Sequence, residues 1–128
     1  MRHAGFTLLE MIVVLALLGL VTAMVVPSML HGIDSWRRQA AMDAVLDQIR
    51  ALPGVARASG KTIVIDDKTL ASKTPPLTIE DGWTLTASTA VTVAGSGVCS
   101  GGELAVGNTY GVRNIKVTAP FCDPVITP

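Results

Sequence analysis

The chain has 128 residues, ten acidic and ten basic side chains for a net charge of zero, two cysteines, two histidines and 49% apolar residues. That length leaves room for one domain behind a long apolar segment, and the balanced charge, with no acidic or basic block, excludes a strong electrostatic footprint for nucleic acid. Both histidines, His3 and His31, fall in the N-terminal quarter, so nothing in the rest of the chain can activate Ser96, Ser100 or Cys99 as a nucleophile, and no enzyme activity is expected.

The first element is the most informative. Met1-Arg2-His3-Ala4-Gly5 forms a short basic leader, and its last residue opens the stretch Gly5-Phe6-Thr7-Leu8-Leu9-Glu10. Residues 6–30 are apolar except for Thr7, Glu10, Thr22 and Ser28, with Gly19 and Pro27 as helix-weakening positions. As a helix rising about 1.5 Å per residue this run reaches roughly 37 Å, enough to cross about 30 Å of hydrocarbon with some tilt. Residues 11–26 are apolar all round, the pattern of a membrane span or filament core and not of a surface helix. A secretory signal peptide fits poorly: the run is too long, Glu10 sits where such peptides are apolar, and Val26-Pro27-Ser28 is a poor cleavage site. A plain anchor fits the length but gives Glu10 no role. An ionised side chain inside a membrane costs roughly 2.5 to 3.5 kcal/mol on insertion scales, which makes Glu10 a functional residue in search of a partner.

Apolar periodicity continues past residue 30. Ile33, Trp36, Ala40, Val45, Ile49 and Leu52 recur at helical steps, opposite Arg37, Arg38, Asp43, Asp47 and Arg50, so the second half of one long helix is amphipathic. Pro53-Gly54 is its expected end. Trp36, beside Arg37 and Arg38, is either an interfacial anchor or a residue packed on a sheet. Strands are expected at Thr62-Ile63-Val64-Ile65, Leu77-Thr78-Ile79, Trp83-Thr84-Leu85-Thr86, Val91-Thr92-Val93, Glu103-Leu104-Ala105-Val106 and residues 112–117. Asp66-Asp67-Lys68 and Asp81-Gly82 read as turns, Pro75-Pro76 as a break and Gly107-Asn108-Thr109-Tyr110-Gly111 as a loop. One helix followed by strands is an α+β pattern, with a long N-terminal helix laid across a small antiparallel sheet.

Residues Gly5 to Glu10, with the apolar run behind them, strongly resemble the class III leader of type IV pilins and type II secretion pseudopilins. The resemblance implies a pilin-like fold in three parts: a leader at 1–5, a transmembrane or filament-core helix at 6–30, and a periplasmic globular domain at 31–128. It implies cleavage by prepilin peptidase between Gly5 and Phe6, N-methylation of Phe6, and a role for Glu10 in register and assembly through the free terminal amine of a neighbouring subunit. Pro27 falls where the family carries a helix-loosening proline. Arg2 and the amino terminus favour a cytoplasmic start, with the body in the periplasm; there Cys99 and Cys122 are expected to form a disulfide.

Within the family, the β-rich body and the Ser100-Gly101-Gly102-Glu103-Leu104-Ala105-Val106 strand entry, followed by Val112-Arg113-Asn114-Ile115-Lys116-Val117, resemble the H-type minor pseudopilin. That implies an assembly subunit of the type II secretion pseudopilus, first held in the inner membrane among lipid, then incorporated into a periplasmic filament. Its partners would be other major and minor pseudopilins, prepilin peptidase and the inner-membrane assembly platform. The cysteine pair is closer to the C-terminal disulfide of true pilins, which keeps a minor type IV pilin, structural or DNA-binding, as the alternative.

No cofactor or metal is expected. Asp66, Asp67, Glu80, Asp81 and Asp123 lack the alternating spacing of a calcium loop, and no Gly-Lys-Ser/Thr follows the glycine-rich stretch at 95–102 to make a phosphate cradle. Arg57, Lys61, Lys68, Lys73, Arg113 and Lys116 are spread over several elements, so nucleic acid is an unlikely partner.

Overall fold

Burial begins at Ala41. In the computed structural model, which describes residues 4–128, no side chain from 4 to 40 is buried, although most of that stretch is apolar. The chain divides into two compact units, 1–39 and Ala40–Pro128. The helix α1, Leu8–Ser59, supplies all the regular structure of the described part of the first unit and the first element of the second.

In the second unit α1 buries Met42, Val45, Leu46, Ile49, Leu52 and Ala56, a stripe at three- and four-residue steps. The expected stripe therefore starts too early: Ile33 is 47% exposed, Trp36 77%, and Ala40 is exposed. An apolar face is buried only where a second layer covers it, and the described residues before 40 contain no strand or second helix.

The helix also runs past its expected end. Pro53 removes one backbone donor, a cost of about 3 kcal/mol in a helix interior, yet Leu52, Pro53 and Ala56 are all buried against the core. A buried leucine alone recovers roughly 1.5 to 3 kcal/mol. The true stop is Gly60, whose left-handed backbone (φ +66°) and N–H bond to the Ala56 carbonyl (2.9 Å) close the last turn.

Beyond α1 come β1 (Ile63–Ile65), α2 (Asp67–Leu70), β2 (Thr84–Thr89), β3 (Val91–Val93), β4 (Gly102–Asn108), β5 (Gly111–Thr118) and β6 (Asp123–Thr127). They form two antiparallel sheets, β1-β3 and β2-β4-β5-β6, where one had been expected. Leu104 and Val106 on β4 and Ile115 and Val117 on β5 point into the core, alternating with exposed Glu103 and Lys116. Ile65, Val91 and Val93 bring the small sheet to the same core. The long helix packed on antiparallel strands is the α+β, pilin-like arrangement read from the sequence.

Four local expectations are corrected. Asp66-Asp67-Lys68 is no simple turn: Asp66 caps α2, its carboxylate accepting the Thr69 N–H (2.7 Å) while the Thr69 hydroxyl accepts the Asp66 N–H (2.9 Å). Leu77-Thr78-Ile79 forms no strand, because the Gln48 side chain of α1 claims Thr78: Oε1 accepts its N–H (2.8 Å) and Nε2 donates to its carbonyl (2.9 Å). The expected loop at 107–111 is a two-residue hairpin turn, Thr109-Tyr110, with β4 and β5 paired up to Asn108 and Gly111. The C-terminal strand β6 was not expected at all; it completes the sheet by pairing with β5.

Cys99 and Cys122 are both buried and bonded to each other, with Cα atoms 5.4 Å apart. They link the β3–β4 connection to the β5–β6 connection, and the Cys99 N–H donates to the Pro120 carbonyl beside the bridge (2.9 Å).

Candidate assembly segment

Met1, Arg2 and His3, which carry the leader's charge and first histidine, lie outside the described residues. From Ala4 to Thr7 the chain is non-helical. A side chain added at Gly5 would meet nothing within 4 Å, and its backbone is not in the left-handed region. Nothing in the chain's own described contacts requires glycine there. Phe6 is 79% exposed.

Thr7 starts the helix. Its hydroxyl accepts the Glu10 N–H (3.2 Å) and its carbonyl accepts the Met11 N–H (3.2 Å), so it is the N-cap of α1. The sequence carries the signal for it: Thr7-Leu8-Leu9-Glu10 has the Ser/Thr-x-x-Glu spacing of a capping box. Only one half of that box is made. The Glu10 carboxylate is exposed in the first helical turn and has no partner among the described residues. Its negative charge there complements the positive end of the helix dipole.

Behind Glu10 every large apolar side chain as far as Leu30 is exposed, and α1 contains a window of mean hydropathy 2.6 with none of it buried. By length and composition this is a helix able to cross a membrane. Its hydroxyls are satisfied internally, as a low-dielectric surrounding demands. Thr22 donates to the carbonyls of Leu18 and Gly19 (both 2.9 Å), and Ser28 to that of Val25 (2.7 Å). The helix is continuous through Pro27, and the Pro27 carbonyl lies 2.7 Å from His31 Nδ1.

The remaining chemistry-bearing residues do not join this segment. Cys99 and Cys122 belong to the second unit's core. Among the described residues no three His, Cys, Asp or Glu side chains gather as a metal would require. The basic residues lie on separate elements: Arg57 at the end of α1, Lys68 on α2, and Arg113 and Lys116 on β5.

Against known proteins, residues 1–26 match the prokaryotic N-terminal methylation motif. The chain is 31% identical over 84 residues to the type IV narrow pilus major component of Thermus thermophilus, an alignment covering 66% of this chain and 72% of that protein. No solved structure shows a significant match. Pilin-like proteins are processed by prepilin peptidase and assemble with other pilins, and the apolar helix with its motif fits a membrane-anchored protein. A motif alone would describe only the head of the molecule, but the pilin relative extends the likeness over most of that relative's length, and the chain belongs to the superfamily of type IV pilins and pseudopilins.

Proposed function

We propose that this protein is a filament subunit that resides in the bacterial inner membrane, N-terminus in the cytoplasm and body in the periplasm, until it is cleaved between Gly5 and Phe6, methylated on Phe6 and drawn into a pilin-like filament. The observation that carries this reading is Glu10, a carboxylate without a partner among the described residues at the head of an uncovered apolar helix. Cleavage would leave an ammonium group at Phe6, close to the positive end of the helix dipole, where a cation is unfavourable. A carboxylate from a neighbouring subunit would neutralise it, and Glu10 would in turn gain the cation it lacks inside a low-dielectric packing of helices. Residues 11–30 would supply the packing surface and Pro27 a point where the helix can loosen.

On the finer question of which filament, the first reading is a minor, H-type pseudopilin of the type II secretion system, supported by the β-rich body and by the strand entry from Ser100 to Val106, and working with other pseudopilins to move folded proteins across the outer membrane. A second reading, a type IV pilus subunit, is favoured by the pilus relative and by the disulfide near the C-terminus. A deletion strain separates them. Exoproteins trapped in the periplasm with twitching and DNA uptake intact support the pseudopilin; normal secretion with lost motility or transformation moves the protein to the pilus. For the shared mechanism, Glu10→Ala is expected to be cleaved normally and fail to enter filaments, while a bulky residue at Gly5 is expected to leave the chain uncut. Full incorporation of Glu10→Ala sinks the assembly role.

A further inference from the structure

Residues 31–40 belong to neither kind of surrounding described above. They follow the apolar run, precede the first buried residue, and are exposed or, at Arg38, half-buried. Within them Trp36 is 77% exposed. A large amphipathic ring held in water on a rigid helix calls for a surface that is apolar on one side and wet on the other.

We infer that Trp36, Arg37 and Arg38 form a collar that binds anionic phospholipid headgroups of the leaflet where α1 leaves the membrane; the inference rests on the membrane-anchored reading of the helix. Distance supports it first. Residues 8–30 rise about 34 Å at ~1.5 Å each, filling a hydrocarbon layer of about 30 Å, and Trp36 lies about 9 Å further along. Helical side chains lean toward the helix N-terminus, which tips the indole back toward the bilayer and into the headgroup layer. Charge supports it second. Residues 31–40 carry two arginines against one aspartate, Asp34, and Arg37, next to Trp36 in the chain, is exposed. Arginine stems lie along apolar surface while the guanidinium reaches phosphate in a bidentate fork, and tryptophan is enriched at this depth.

The test uses the full chain reconstituted in vesicles, with Trp83→Phe leaving Trp36 as the only tryptophan. Fluorescence is quenched with phosphatidylglycerol or phosphatidylcholine brominated either near the headgroup or near the bilayer centre. Shallow bromines are expected to quench Trp36 and deep ones to leave it bright, with phosphatidylglycerol preferred. Arg37→Gln with Arg38→Gln is expected to erase that preference, about fivefold for each arginine at most. Should Trp83→Phe fold poorly, the difference between the wild type and Trp36→Phe reads the same signal. Flotation of the protein with vesicles tests the anchor separately. If it floats yet Trp36 is unquenched, or is quenched equally by both lipids with no change in the arginine variant, the collar is wrong. Quenching that fades as protein is crowded at fixed lipid also overturns it, because a second copy then covers the ring. Failure to float removes the membrane reading itself.

Discussion

Leu17 and Leu52 sit on the same helix, yet the first is 58% exposed and the second 3%. Their side chains are identical, and what differs is the second layer. From Ala41 onward, strands and loops cover one face of α1; before it, no described residue does. The second unit therefore holds its own hydrophobic stabilisation, whereas the first leaves its apolar side chains exposed. One stretch of this helix is a core element, and the other is an exposed apolar surface.

The comparison breaks most readily at Ile49, which is fully buried. Ile49→Ala is expected to lose about 2 to 5 kcal/mol of unfolding stability, in the range of isoleucine-to-alanine cavities. Leu17→Ala is expected to leave thermal unfolding of the body in the same detergent within about 0.5 kcal/mol. Equal losses would mean that the two stretches are not energetically distinct.

Next in size is the bridge between Cys99 and Cys122, separated by 23 residues. Closing such a loop stabilises by about 3 kcal/mol in the chain-entropy model. Reduction, or a paired change to serine, should lower the denaturant midpoint of the second unit accordingly and leave circular dichroism of the apolar half unchanged.

The smallest effect sharpens the contrast within the second unit. The Thr69 backbone N–H, and then the Thr69 hydroxyl, hold the Asp66 carboxyl below its ordinary value. A group depressed on folding contributes stability that is fully present above the unfolded pKa and is lost as pH falls through the folded one. Melting temperatures followed downward from pH 5 should thus show a modest acid loss for the wild type that is missing in Asp66→Asn, since asparagine can cap the helix but does not titrate there. Parallel curves for the two proteins would deny the cap that role.

How much of this was legible in the sequence follows the same division. The N-terminal motif and apolar helix are local signals carried by adjacent residues, and they read directly. So did the strands whose β-branched runs stand alone, at 63–65, 91–93 and 112–117. Misreadings arose where a distant partner overruled local preference. Pro53-Gly54 looks like a helix end until Leu52 and Ala56 are seen to be buried on both sides of it. Leu77-Thr78-Ile79 looks like a strand until Gln48, thirty residues away, is seen to occupy it. Asp66 and Thr69 carry a capping pair at i, i+3 spacing, as do Thr7 and Glu10, and in both places a short polar pair resembles a turn as much as a helix start. The strand β6 was hidden by Pro124, a residue that argues against a central strand but is tolerated at a sheet edge, where β6 lies.

Gln48 has one more consequence. Its amide meets Thr78 as the backbone of a neighbouring strand would, giving and taking one hydrogen bond each. Leu77-Thr78-Ile79 has the composition of a sticky β segment, and an open rung on such a segment is a template for pairing with another chain. By occupying that rung, one glutamine keeps the Thr78 N–H and carbonyl paired within the chain, so neither is left open to a strand from elsewhere.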